Sequence, residues 1–290
     1  MSALDFFDVC WYNICTVLHI IDKNCLGDVS MRYGVFDSGL GGMTVLGQLM
    51  DVMPYNDYIY FGDVARVPYG TRSNGTIIKY AKEDAAFLHK NNIDAIIIAC
   101  GTVSSVAHDE LKQIYDIPVY SVIDFAAASA VQTTKNKKIG VIGTQATVNS
   151  GVFEKKLRAA DREVSVHTMA CPLFVPLIEN GIAYDDEIAE KVAERYLSPL
   201  MEKGVDTVIM GCTHYPVYTE TFKKIYPGAT YINMGRETAK HLAKNNPASP
   251  VTGKTELYVS EISQAFYETA AIMGFNVSRD DIKTVDVSME

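Results

Sequence analysis

The sequence predicts an α/β fold of two similar α/β domains with mostly parallel sheets, pseudo-symmetric about a site between them. Three observations predict it. From Arg32 onward short apolar runs alternate with helix-length segments, the pattern of a parallel sheet covered on both faces. A unit of strand, cysteine, helix and strand occurs twice, about half a chain apart. No low-complexity linker separates the copies, so the domains must be joined by short crossings, with the chain passing between them more than once.

In chain order, Tyr33 to Phe36 is the first strand. It ends in Asp37-Ser38-Gly39-Leu40-Gly41-Gly42, a glycine-rich turn into a helix near Thr44 to Met53. Glycines there let backbone N–H groups approach a ligand closely, and the helix N-terminus favours an anion such as a carboxylate. A second strand, Tyr58 to Phe61, leads into the loop Gly62 to Arg72, which contains Pro68-Tyr69-Gly70, and then into a helix from Thr76 to Lys90. Loops beyond strand ends are where sites are usually built.

The first copy of the repeated unit follows. Asp94 to Thr102 reads DAIIIACGT, and Asp206 to His214 reads DTVIMGCTH. In each, an acidic residue precedes an apolar run of buried-strand length, a cysteine falls where the strand must stop, and a threonine follows. The segments behind them, Val103 to Tyr115 and Tyr215 to Tyr226, are helix-length, and the apolar stretches Ile117 to Ile123 and Ala229 to Ile232 close the units. Two similar βαβ halves of this kind each bring one thiol to a shared crevice at strand carboxyl ends.

Between the copies lie a helix from Phe125 to Thr133, a strand from Lys138 to Ile142 ending in Gly143-Thr144-Gln145-Ala146-Thr147, and a strand from Glu163 to Met169. Prolines at 172 and 176 limit regular helix over Ala170 to Gly181, where Glu179 is a carboxylate in an apolar stretch. Asp185, Asp186 and Glu187 favour the start of a long helix to Met201. After the second copy come a helix from Arg236 to Lys244, a strand from Glu256 to Val259 and a closing helix from Glu261 to Met273. The expected division is an N-terminal extension over 1–30, domain A over 31–124 with 234–290 returning to it, and domain B over 125–233.

The balance of 26 basic against 35 acidic residues gives −9 at neutral pH, which disfavours nonspecific binding to nucleic acid or to an anionic membrane surface. No apolar run reaches the roughly 20 residues needed to span a bilayer, so the chain is expected in the cytoplasm. Six cysteines stand at 10, 15, 25, 100, 171 and 212 without a CxxC pair, and a disulfide framework is not expected in a chain this long lacking a secretory signal. Residues 1–30 carry three of these cysteines and the only tryptophan, Trp11, and have no Lys or Arg before Lys23, unlike the basic start of a signal peptide.

Paired thiols on two crevice walls have several chemical readings: a disulfide, part of a metal site, a nucleophile with a base, or an acid and base pair. Zinc wants three or four ligands, and His214 is the one histidine near either cysteine in sequence. A nucleophile formed by Cys212 and His214 leaves the duplication unexplained. Removing a proton from one face of a stereocentre and returning one to the other uses two similar groups on opposite sides, as in a racemisation. A thiol of pKa about 8.5 is only a few per cent thiolate at neutral pH, and lowering it by one to two units needs about 1.4 to 2.7 kcal/mol of preferential stabilisation. Each thiol also needs a proton partner: Asp37 for Cys100, and His214 or Glu179 for Cys212.

GVFDSGLGGMTVL at 34–46, YFGDVARVPYG at 60–70, ACGT at 99–102, GTQAT at 143–147, ACPLFVPLIENG at 170–181 and GCTHYP at 211–216 together resemble the glutamate racemases of the aspartate/glutamate racemase family. The resemblance runs from Met31 to the C-terminal region with the motifs in the family's order. It implies interconversion of L- and D-glutamate without pyridoxal phosphate, other cofactor or metal, supplying D-glutamate for peptidoglycan, usually as a homodimer. Cys100 matches the cysteine that deprotonates D-glutamate and Cys212 the one acting on L-glutamate, with Asp37, His214 and Glu179 assisting. The implied substrate contacts are Ser38, Pro68, Tyr69, Gly70, Thr102, Thr144, Thr147 and Thr213. One departure concerns substrate preference: the family usually has asparagine after the first cysteine, where this chain has Gly101, leaving a backbone N–H in place of a side-chain donor. The competing readings are a racemase of aspartate or another amino acid, and a non-catalytic binding protein such as an inhibitor of DNA gyrase.

Overall fold

The computed structural model describes residues 30–182, 186–246, 252–263 and 266–287. The extension expected over residues 1–30, with Cys10, Cys15 and Cys25, lies outside the described residues except for Ser30.

The strands form two sheets, and every neighbouring pair in them is parallel. The first sheet uses β1 (Arg32–Asp37), β2 (Asp57–Gly62), β3 (Ala95–Ile98), β4 (Val119–Ser121), β9 (Thr255–Val259) and β10 (Ile282–Thr284) in the order β10-β9-β2-β1-β3-β4. The second uses β5 (Lys138–Gly143), β6 (Ser165–Ala170), β7 (Thr207–Met210) and β8 (Thr230–Asn233) in the order β6-β5-β7-β8. In each sheet the earliest strand stands between the second and the third. The halves therefore share one topology, and the first is widened by β9 and β10 at its β2 edge. Strands β3 and β7 are buried throughout, as expected of apolar runs covered on both faces.

The helices among the described residues are α1 (Met43–Val52), α2 (Asn74–His89), α3 (Gly101–Val106), α4 (His108–Ile114), α5 (Val122–Thr133), α6 (Gln145–Asn149), α7 (Val152–Ala160), α8 (Phe174–Glu179), α9 (Glu187–Glu202), α10 (Thr219–Ile225), α11 (Met234–Lys244) and α12 (Phe266–Ile272). Side-chain caps start several of them: Ser73 accepts from Thr76 N–H, Ser121 from Ile123, Asp186 from Ile188 and Asn233 from Arg236. Helix α11 packs against both α1 and α5, and so ties the two halves together.

Three expectations change. The helix-length segments behind the cysteines are each broken: the first ends at Ala107 and restarts with α4, while the second opens as a 3₁₀ turn, Tyr215–Tyr218, before α10. Pro216 lacks an N–H and sits in that turn. Over 170–181 the prolines do not prevent a helix, because Pro176 falls in the first turn of α8, where its missing N–H would have no intrahelical partner. Strand β10 was not expected, since only Ile282 of its three residues is buried.

Candidate active site

In an open parallel sheet the crevice lies beyond the carboxyl ends of the strands where the order reverses. In the first sheet this is between β1 and β3, and in the second between β5 and β7. Asp37 ends β1, Cys100 stands two residues beyond β3 as the N-cap of α3, and Cys212 stands two residues beyond β7. The loops bearing the two thiols touch: a Cβ built on Gly101, just after Cys100, would stand 2.2 Å from the carbonyl oxygen of Gly211, just before Cys212.

On the first wall, the glycine turn wraps its own carboxylate. Gly39 N–H donates to Asp37 Oδ2 at 3.0 Å, Gly42 N–H also bonds this carboxylate, and Thr213 Oγ1 reaches Oδ1 at 3.3 Å. The anion expected at this turn is thus supplied by Asp37 itself. Burial raises the Asp37 pKa, against the lowering pull of His214 and these donors. Ser38 Oγ lies 3.2 Å from Cys100 Sγ. Burial drives the Cys100 thiol up to about 12, with Asp37 adding to the rise, while the Ser38 hydroxyl and the backbone N–H groups of Val103 and Ser38 favour the thiolate.

The second wall is built differently. Cys212 Sγ lies 3.9 Å from His214 Nδ1, and His214 Nε2 lies 3.1 Å from Glu179 Oε1 at the end of α8. Burial opposes a charged His214, but Cys212 and Glu179 outweigh it and lift the imidazole to about 10. His214 therefore holds its proton at neutral pH, with both ring nitrogens as donors.

Thr102, Thr144 and Thr147 form a chain of hydroxyls, 2.9 Å from Thr102 to Thr144 and 2.9 Å from Thr144 to Thr147, which crosses from the first half to the second. Gly70 lies against Thr144, where an added Cβ would come within 3.1 Å. The loop carrying Pro68, Tyr69 and Gly70 is held from behind by an ionic cluster. Arg66 bonds Asp63 at 2.6 Å and Asp84 at 2.8 Å and also pairs with Glu83, and its guanidinium lies 4.2 Å from the Tyr80 ring centre. The buried Tyr69 directs its hydroxyl to Asp63 and, at 3.2 Å, to Asp84. What Tyr69 can offer a substrate is therefore backbone.

The structure thus brings Asp37, Ser38, Cys100, Gly101, Cys212, Thr213, His214 and Glu179 together, and joins Thr102 to Thr144, Thr147 and Gly70. It adds Thr44, whose hydroxyl lies 2.8 Å from the Thr213 carbonyl. The sequence signal for Thr44 was only a hydroxyl two residues past Gly42, because its partner is 169 positions away. Cys171 is buried, with its thiol raised by burial and by Cys212, and its hydrogen bond, at 3.5 Å, runs to the Met169 carbonyl. Among the described residues no group of three or more His, Cys, Asp or Glu side chains is arranged to hold a metal ion.

Such walls can move a proton on and off a carbon held between them. Residues 48–242 match the family model described as Asp/Glu/Hydantoin racemase. A glutamate racemase of Sulfurihydrogenibium sp. (strain YO3AOP1) is 42% identical over 258 residues, which cover 89% of this chain and 99% of that one. Among solved structures, the glutamate racemase isoform RacE1 of Bacillus anthracis superposes with a TM-score of 0.82 at 33% identity, covering 89% of this chain and 97% of that one. The Francisella tularensis glutamate racemase, determined in complex with D-glutamate, gives 0.81 at 34% identity, covering 90% and 99%. Fold, thiols and similarity define an amino-acid racemase, and the chain belongs to the Asp/Glu/Hydantoin racemase family. Within that family, these relatives, matched over nearly their full length, are glutamate racemases.

Proposed function

We infer that this chain interconverts L- and D-glutamate by a two-thiol proton exchange. The observation that carries the reading is the placement of Cys100 and Cys212 two residues beyond equivalent strands of two like halves, on loops that touch at Gly101 and Gly211. The substrate α-carbon sits between the sulfurs; one thiolate takes the α-proton and the opposite thiol delivers another to the far face. Cys212 acts on L-glutamate and Cys100 on D-glutamate.

The charges support this division. A lone buried thiolate at Cys100 is unfavourable beside Asp37, and a bound α-ammonium provides the positive charge that lowers both groups. His214, carrying its proton, serves Cys212 in both roles, and Glu179 holds the ring. Carboxylate oxygens are received by the hydroxyls of Ser38, Thr102, Thr144, Thr147 and Thr213 and by backbone around Pro68–Gly70 and Gly101. The domains are 31–124 with 234–290, and 125–233, and the site is completed by both. The D-glutamate feeds peptidoglycan in the cytoplasm, and the enzyme works as a homodimer. Among the described residues no helix is long and apolar enough to cross a membrane.

Circular dichroism of L-glutamate and, separately, D-glutamate incubated with purified protein and no added cofactor tests the reading. Both signals decay with wild type, and neither decays with Cys100→Ser or Cys212→Ser. Turnover of aspartate in place of glutamate would move the reading to another substrate, and turnover of no amino acid would end it.

A further inference from the structure

The second cysteine loop contains an unusual backbone demand. After Cys212 the chain turns as a 3₁₀ segment, with Tyr215 N–H bonded to the Cys212 carbonyl at 3.2 Å and Val217 N–H to the His214 carbonyl at 3.1 Å. The Thr213 carbonyl lies between these two and would take the N–H of residue 216, but residue 216 is proline and has none. A backbone acceptor in such a place needs another donor. The Thr44 hydroxyl meets it: Oγ1 lies 2.8 Å from the Thr213 carbonyl and also 2.8 Å from the carbonyl of Gly41, so one proton serves two acceptors, one on each half.

The rest of Thr213 is anchored in the same direction. Its hydroxyl donates to Asp37 at 3.3 Å, and Gly41 lies so close that an added Cβ would fall 2.2 Å from Thr213 Oγ1 and 2.5 Å from His214 Nδ1. Residue 213 stands between the thiol and the imidazole of its own wall. We propose that Thr44 is a positioning residue for the Cys212 side: its hydroxyl replaces the bond that Pro216 cannot make and so sets Cys212 and His214 against the Asp37 turn. It touches no reacting atom. This inference rests on the two-thiol reading above for its kinetic form but not for its geometry.

Thr44→Val keeps the shape of the side chain and removes the proton; Thr44→Ser keeps the proton. Because a racemisation has an equilibrium constant of one, kcat/KM for the two directions must fall together, and the side affected is read from isotope effects. Thr44→Val is expected to lower kcat/KM about five- to tenfold. The α-deuterium effect on kcat/KM should rise for L-glutamate, whose proton goes to Cys212, and fall for D-glutamate, whose proton goes to Cys100. Thr44→Ser restores both. Equal isotope effects in the two directions, or no rescue by serine, would overturn the proposal as a mere loss of fold would.

A second measurement needs no turnover: iodoacetamide labelling of each cysteine, followed by peptide mass spectrometry. Thr44→Val should speed alkylation of Cys212 at least threefold and leave Cys100 unchanged. Labelling of Cys212 at the wild-type rate would refute the positioning role. If wild type fails to racemise glutamate while this labelling difference appears, the functional reading fails and the positioning role stands.

Discussion

The first and second halves of the molecule share a strand order and a cysteine position, yet they surround their thiols with different chemistry. In the first, Cys100 has a buried carboxylate, Asp37, and a hydroxyl, Ser38, and its thiol lies near 12. In the second, Cys212 has an imidazole near 10 backed by Glu179. Duplication explains the placement of two like groups; it does not give them like surroundings. On the two-thiol reading, the Cys100 wall would take its cation from the substrate, while the Cys212 wall has the His214 imidazole beside it.

The comparison is broken most severely at the sulfurs. Cys100→Ser and Cys212→Ser should each cut racemisation of both enantiomers by about 10²–10⁴-fold or more, read by circular dichroism, because on the two-thiol reading either loss removes one of the two proton transfers. A large loss in only one variant would mean that the halves are not partners. The proposed proton partners come next. His214→Asn and Asp37→Asn should lower kcat/KM by about 10- to 100-fold. His214→Asn should raise the α-deuterium effect on L-glutamate, and Asp37→Asn that on D-glutamate.

Gly101→Ala tests the contact between the halves. The new methyl meets the Gly211 carbonyl oxygen, and relieving that overlap should cost about 1–3 kcal/mol, seen as a lower unfolding midpoint in denaturant. An unchanged midpoint would show that the loops move apart freely. The smallest expected effect is a slope. His214 is raised from 6.5 to about 10, so its stabilising proton is fully present below pH 6.5 and lost as the pH climbs toward 10. Cys100, raised from 9.0, begins to contribute its own loss only above pH 9. Unfolding free energy should therefore fall between pH 6.5 and 9 in the wild type and fall less in His214→Asn. Parallel curves would remove the charge assigned to this ring.

Much of this asymmetry was legible before the fold. The apolar runs ending in Cys100 and Cys212 placed both thiols correctly because a buried parallel strand is apolar on both faces and stops at the first polar turn. The sequence offered Asp37 as the partner of Cys100 and either His214 or Glu179 as that of Cys212; in the structure His214 lies beside Cys212 Sγ, and Glu179 bonds the imidazole and not the thiol. The 3₁₀ opening of the second segment had a local signal in Pro216, which a reading by segment length alone passes over. The break at Ala107 could not be read, since the contact there is tertiary: His108 Nε2 lies 3.0 Å from the Val119 carbonyl. Nor could the engagement of Tyr69 by Asp84, 15 residues away across a loop and a helix, or the use of the glycine turn to hold Asp37. Pattern reports what is buried; it does not report which distant donor a buried acceptor meets.

The two sheets also differ in when they can be finished. The four strands β5 to β8 are contiguous between residues 138 and 233, whereas the first sheet begins at residue 32 and receives β9 and β10 only from residues 255–284. During synthesis the second sheet has all its strands while the β2 edge of the first still lacks its neighbour, and an unpaired edge is a template for wrong pairing. A released chain truncated after residue 250, which has every strand of the second sheet but lacks β9 and β10, should be cleaved by protease within the first half and spared in the second. The earliest strands of the fold then wait for partners that are made after the whole of the second sheet.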